Sequence, residues 1–449
     1  MKHSLVCIVG GGFSGALTAI NLARHDGPRA ILIERRHEPG RGVAYSAEQP
    51  DHLLNVRAGN MSAFPDQPGH FTAWLERTGN GTGATFVPRR VYGQYLTSII
   101  LEILKDSPGR LEIVTDEALR LTEHGSSIRP LLASGAHLDC DAAVLALGNL
   151  PPHPPAGLDP DSVSADTYEP NPWSGRVADD LEKNDAVLLV GTGLTMVDAA
   201  LLISKRSDAK IVALSRRGLL PRAHVDGLPP ANRMHRPPRN ATALLCDVRR
   251  RAREVDWRVA VDELRPHTQA VWGAATQETR QRFLRHLRPW WDVHRHRLAP
   301  DVARQLSELV SSGRLVVEAG KICEFTFKDK AIDVLWRPRG QSALAGRTFR
   351  RIVNCTGPQG DLRRSNEPLL QQLLQDGLIR PDSNNIGLDV DSQARVISAH
   401  GASAARLYAV GPMTRGEFWE IVAVPDIRHQ VWTLARRLSN AHWVEGEGL

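Results

Sequence analysis

An α/β fold with two tandem parallel-sheet units is the fold class that this 449-residue sequence predicts. Three observations point to it. A short apolar run near the start ends in a glycine-rich turn followed by a helix. The same order recurs near residue 190. Each half then passes through short β-like runs to another apolar strand that ends in glycine.

Leu5 to Val9 is the first apolar run. It opens onto Gly10-Gly11-Gly12-Phe13-Ser14-Gly15, and Ala16 to Arg24 has helical character. Ala30 to Glu34 follows as a second strand ending in an acid. Strand, G-x-G-x-x-G, helix, strand and acid in this order form the Rossmann-like dinucleotide fingerprint. Gly10 allows the tight turn. Gly12 lets the backbone at Phe13 and Ser14 approach a pyrophosphate, and Gly15 lets helix and strand pack closely. The helix N-terminus offers free N–H groups and partial positive charge to the phosphates. Glu34 suits a ribose diol and repels a 2′-phosphate.

Asp185 to Val190 repeats the plan, leading into Gly191-Thr192-Gly193-Leu194-Thr195-Met196 and a helix through Ile203. After the next strand, Lys210 to Leu214, Ser215-Arg216-Arg217 stands where the first half has its acid. Guanidinium groups suit a 2′-phosphate, so this site leans towards NADPH. An Arg pair also accompanies NADH use, and the coenzyme is therefore written NAD(P)H. Met196 in the third glycine's place predicts a slightly wider spacing of helix and strand.

Leu111 to Cys140 and Leu315 to Phe349 read as inserted β-meanders. They close on returning strands that end at Gly148 and Gly357. A late strand, Arg406 to Val410, ends at Gly411-Pro412, and Val424-Pro425-Asp426 opens a last helix running to Arg437. Pro151 to Pro155 predicts a stiff, exposed connection. The stretch 240–312 reads as a helical insertion, with Phe283, Leu284, Leu287, Trp290 and Trp291 at helical spacing. The expected domains are 1–155 with 351–449, and 180–350 carrying the insertion.

Composition narrows the function. No apolar run approaches the roughly 20 residues that span a bilayer. Met1-Lys2-His3 leads straight into a strand, without a signal-peptide pattern, so a cytoplasmic protein is expected. The five cysteines include no C-x-x-C and no close pair with His, which argues against a bound metal or a redox dithiol. Net charge is +6, and Arg239 to Arg304 holds 14 Arg against 8 acidic residues, with four of the ten Trp. No nucleic-acid signature accompanies this excess, and a small anionic ligand is the better reading.

Two such units in tandem, the first with an acid and the second with arginines, resemble the flavoprotein fold of glutathione reductase and class B flavin monooxygenases. The resemblance implies FAD on Gly10, Gly12, Gly15 and Glu34, and NAD(P)H on Gly191, Gly193 and Arg216-Arg217. Gly148 and Gly357 match its returning-strand motifs. Gly411 matches its late motif, although Pro412 replaces the usual acid. Asn55 stands where relatives bring backbone close to the flavin. His52 to Ser62, Phe86 to Gly93 and Trp291 to Arg297 look like a bacterial family of FAD/NAD(P)-binding proteins.

The best-defined activity associated with that family implies FAD-dependent monooxygenation of an electron-rich anion through a C4a-hydroperoxyflavin, with urate giving 5-hydroxyisourate in purine catabolism. The alternatives are N-hydroxylation of an amino acid or amine, and NAD(P)H oxidase or electron-transfer activity. The partners implied are a small-molecule substrate and O2. Arg57, Arg89, Arg90, Arg295, Arg297 and Arg415 are candidate anion binders. His52, His294, His296 and Glu417 are candidate proton acceptors. Arg57, His294 and His296 are the catalytic expectations. The Trp-rich insertion is the expected cover of a dry pocket.

Overall fold

The computed structural model describes residues 4–46, 52–231 and 236–440. Its strands are β1 (Leu5–Val9), β2 (Arg29–Glu34), β3 (Leu111–Thr115), β4 (Ala118–His124), β5 (Ser127–Leu132), β6 (Ala142–Leu145), β7 (Tyr168–Glu169), β8 (Ala186–Val190), β9 (Lys210–Ser215), β10 (Leu315–Phe327), β11 (Ile332–Pro338), β12 (Ala345–Phe349), β13 (Arg351–Asn354), β14 (Arg395–Ile397) and β15 (Ser403–Ala409). They divide between two compact units. The first is Met1–Leu150, Thr268–Gln277 and Gly360–Leu449; the second is Pro151–His267 and Glu278–Gln359.

In the first unit the sheet runs β14-β15-β6-β1-β2-β3. β1 pairs in parallel with β2 on one side and β6 on the other, with Val6 opposite both Ala30 and Ala142. Both faces are covered, which is why these strands are near-continuous apolar runs instead of alternating ones. The helix Phe13–Arg24 is buried along its length from Phe13 to Ala23. It shares one apolar core with the helices Arg89–Asp106 and Val424–Leu438. Asp26 stops it in a left-handed conformation (φ 50°), and the Gly27 N–H reaches back to Leu22 O. On the other face, the buried Gln372 side chain both donates to and accepts from the Leu121 backbone, extending the edge of β4.

In the second unit the sheet runs β12-β11-β10-β9-β8-β13-β7. β8, β9 and β13 form its parallel centre. β10 changes partners along its length. Leu315–Ala319 runs parallel to β9, and the part from Gly320 onward pairs antiparallel with β11. At Gly320 a side chain would strike Arg337 O, so the glycine sits where the strand bends into its second pairing.

The expected boundaries need four corrections. The strand starting at 351 belongs to the second unit, because β13 pairs with β8; the first unit resumes at Gly360. Residues 151–155 also fall in the second unit, where the Asn354 side chain holds His153 O at 2.9 Å. The linker is thus tied down and largely half-buried. The helical insertion is split, since Thr268–Gln277 packs with the first unit. The first meander starts at β4, because β3 joins the parallel sheet beside β2; β4 and β5 pair antiparallel, and His137 and Cys140 bridge back to β5.

Candidate nucleotide-binding sites

Strand order alone marks one point in each unit. In the first, the chain leaves β1 for β2 on one side and later returns through β6 on the other. In the second, it leaves β8 for β9 and returns through β13. Open α/β sheets bind ligands at the carboxyl ends of strands where the order reverses in this way. The glycine turns lie there. Gly10 has φ 99° and Gly191 φ 120°, both left-handed-side conformations that favour glycine. A Cβ at Gly10 would lie 2.5 Å from Ala146 O after β6, and one at Gly191 would fall on Cys355 O after β13.

The helices that follow begin alike. Gly12 and Gly193 are extended N-cap residues, with ψ −167° at both. Neither helix has a side-chain cap or an acid in its first turn. Such ends present backbone donors and a partial positive charge that an anion satisfies. Gly15 is set by packing, since a side chain there would fall on Gly10 O. Met196, its counterpart, is fully buried in the second unit.

Around the first turn the structure adds parts that the fingerprint did not name. Gly40 N–H donates to Gly11 O at 2.6 Å, and a Cβ at Gly12 would lie 3.5 Å from Gly42 Cα. Phe13 packs edge-on against Tyr45, which packs against the buried Tyr92. Burial pushes the Tyr92 hydroxyl well above its usual pKa. Glu34 is buried. Its Oε2 accepts the Gly11 N–H at 2.7 Å and its Oε1 accepts the Arg36 N–H at 2.9 Å. Each carboxylate oxygen has a second lone pair, so Glu34 can fix the turn and still accept ribose hydroxyls. The Gly40 and Gly42 pair just after Glu34 was a readable signal for this second wall.

Gly411 closes the first site from the other side. A Cβ there would strike Ser14 Oγ. Pro412 begins a buried one-turn 3-10 helix, Pro412–Thr414. Arg415, also buried, donates to Pro412 O at 3.0 Å and to Asn149 Oδ1 at 3.0 Å, joining the Gly411 turn to the residue after Gly148. The half-buried Asn55 lies in a segment tied to the second segment of the family resemblance. Leu54 N–H donates to Val87 O, Arg89 N–H to His52 O, and Ala58 N–H to Thr85 O.

In the second unit, Thr192 Oγ1 lies 2.9 Å from Ser215 Oγ and donates to Leu219 O at 2.7 Å. Ser215 Oγ also accepts the Gly218 N–H. Ser215 therefore shapes the loop that carries the arginines. Arg217 donates to His286 O and Arg285 O, while Arg216 is exposed. Leu194 and Thr195 form the first helical turn, and Gly357 lies in the turn after β13.

The three catalytic expectations fall on both units. Arg57, in the first, donates to Ala84 O at 2.8 Å and lies over the Phe86 ring. His294 and His296, in the second, end the helix Arg288–Arg295. His294 Nδ1 meets Trp290 O at 2.7 Å and its ring packs edge-on against Trp257. A carbonyl only accepts, so Nδ1 is the donor in this contact. Arg297 is buried in an ion pair with Asp262. Among the insertion's tryptophans, Trp290 is exposed, at 43%, while Trp272 stacks on Trp419 inside the first unit and donates to Gly416 O. Among the described residues no cluster of metal-ligating side chains occurs, and no helix is long and apolar enough to cross a membrane.

Comparison with known proteins agrees with this geometry. Residues 7–150 match the model of the FAD-NAD(P)-binding family. An uncharacterised protein of Mycobacterium tuberculosis is 25% identical over 493 residues, covering 91% of this chain and 89% of its own. Ornithine hydroxylase of Pseudomonas aeruginosa superposes with a TM-score of 0.67 at 15% identity, over 98% of this chain and 99% of that one. L-Lysine 6-monooxygenase of Pseudomonas syringae gives 0.68 at 15% identity, over 98% and 100%. The chain has the two-domain α/β fold of FAD/NAD(P)-binding flavoproteins.

Proposed function

We propose that this protein is an FAD-dependent monooxygenase that uses NAD(P)H and O2 to hydroxylate a nitrogen of a small amine or amino acid. The observation that carries the reading is likeness over almost the entire chain, 98%, to ornithine and lysine hydroxylases, with a glycine turn at the reversal point of each sheet. The first cradle takes FAD and the second takes NAD(P)H. When bound, FAD supplies the redox chemistry by accepting hydride and passing electrons to O2. The chain's own residues bind and orient. The helix end at Gly12 holds the pyrophosphate, Glu34 holds the ribose, and Arg216 faces the 2′-phosphate end of the coenzyme.

Urate hydroxylation is the weaker reading. The ornithine and lysine hydroxylase likenesses do not support it. Three of the arginines expected to hold a urate anion are engaged elsewhere: Arg57 with Ala84 O, Arg297 with Asp262, and Arg415 with Pro412 O and Asn149. The test is a substrate panel of primary amines, basic amino acids and urate, with NADPH loss, peroxide release and product mass followed together. An amine product heavier by one oxygen atom supports the proposal. Equal NADPH loss with every compound, all of it recovered as peroxide, contradicts it and leaves an oxidase.

A further inference from the structure

Pro412 stands where the resemblance leads one to expect an acid, and the turn before it is held by a side chain from the last helix. Gln430 projects from Val424–Leu438. Its Oε1 accepts the Gly411 N–H at 2.7 Å, and its Nε2 donates to Thr414 Oγ1 at 2.9 Å. Thr414 Oγ1 in turn donates to Gly411 O at 2.8 Å. Both polar groups of the Gly411 backbone are thus held by two side chains that also hold each other. Thr414 is fully buried and Gln430 half-buried. Gly411 lies so close to Ser14 that a Cβ would strike its hydroxyl. A shift of the Gly411 turn therefore pushes directly on the first turn of the helix Phe13–Arg24. Pro412 has no backbone N–H and offers no side-chain acceptor, so it replaces none of what an acid would do.

We infer that Gln430 and Thr414 are positioning residues for FAD. They form a side-chain staple that fixes the Gly411 turn against Ser14 and so holds the phosphate-binding end of the first cradle in its binding geometry. The inference rests on the FAD reading above. The staple touches backbone, and its effect on the cofactor passes through Ser14 and the helix end. Both side chains are removable without a change of bulk. Gln430→Leu deletes both amide hydrogen bonds, and Thr414→Val deletes the hydroxyl.

The test uses the full-length protein. FAD affinity is measured by quenching of flavin fluorescence, and the unfolding midpoint by far-UV circular dichroism on flavin-free protein. Each single variant should weaken FAD roughly tenfold, the size of one to two neutral hydrogen bonds. The double variant should weaken it by much less than the product of the two, because the residues act as one unit. The flavin-free midpoint should fall by no more than the few degrees that the lost bonds themselves cost, leaving the protein folded at the assay temperature. Wild-type affinity in Gln430→Leu overturns the inference. So does a flavin-free midpoint that falls to the assay temperature and accounts for the whole loss of affinity, which marks a purely structural role. A wild-type protein that takes up no FAD overturns the parent reading, and this one with it.

Discussion

The glycines of the two fingerprints do different work, and substitution separates them. A side chain at Gly15 has no room against Gly10 O, so Gly15→Ala forces helix and strand apart. It should lower stability by about 1–3 kcal/mol and deplete the flavin of the purified protein, as thermal unfolding and the visible spectrum would report. At Gly193 nothing lies within 4 Å of an added Cβ. Gly193→Ala should leave the melting temperature unchanged and raise the KM for NAD(P)H, since the methyl meets the coenzyme. The arginines divide in the same way. Arg216→Ala should weaken NADPH roughly tenfold or more while sparing NADH and the fold. Arg217→Ala, which removes the bonds that tie this loop to the carbonyls of Arg285 and His286, should lower stability and affect both coenzymes alike. Equal selectivity loss in the two variants would remove this division. The sequence showed both arginines as a pair; only tertiary contact to residues about 70 positions away distinguishes them.

At the scale of elements, the strand–turn–helix units were legible because each is local. Leu5 to Glu34 and Asp185 to Arg217 each carry strand, turn and helix within about thirty residues, the span of a βαβ unit. What crosses between distant elements was not. The staple between Gln430 and Gly411, the Glu34 bond to Gly11 and the packing of Thr268–Gln277 on the first unit depend on which surfaces meet. No period or motif encodes that. The returning strand at 351 was seen but assigned across the wrong boundary, because an apolar strand ending in glycine fits either sheet until its partner is known. Helix packing also sets a pH dependence. Burial lowers the pKa of His25, at the end of the helix Phe13–Arg24, and of His70, whose Nδ1 lies 2.7 Å from the Tyr95 hydroxyl. The unfolded chain therefore binds protons more readily than the folded one as pH falls below about 6.5. Unfolding midpoints should fall on acidification from about pH 7 to 5, and a His25→Gln, His70→Gln double variant should flatten that slope. An unchanged slope would show that other groups govern it.

Across the whole molecule one plan occurs twice, and the two copies differ around the end of their second strands. The first has a buried acid at the end of its second strand and a second glycine-rich wall at Gly40 and Gly42. The second has Ser215 shaping a loop that exposes Arg216. Fold class and both glycine turns were readable from the sequence, since glycine spacing reflects backbone sterics directly. The side chains that meet substrate were not, because Arg57, His294 and His296 bear no fixed spacing to one another or to either fingerprint. Their first contacts are structural: a carbonyl and a ring for Arg57, and a helix carbonyl and Trp257 for His294. The central claim is that a flavin bound at Gly10 to Gly15 takes electrons from a coenzyme bound at Gly191 to Gly193. Anaerobic titration of the purified protein with NADPH, following the flavin's visible absorbance, tests it directly. The account predicts a yellow protein that bleaches with one equivalent of NADPH per flavin and regains its colour when air is admitted. A flavin that stays oxidised through excess NADPH and NADH, or a folded protein that takes up no flavin, would contradict it.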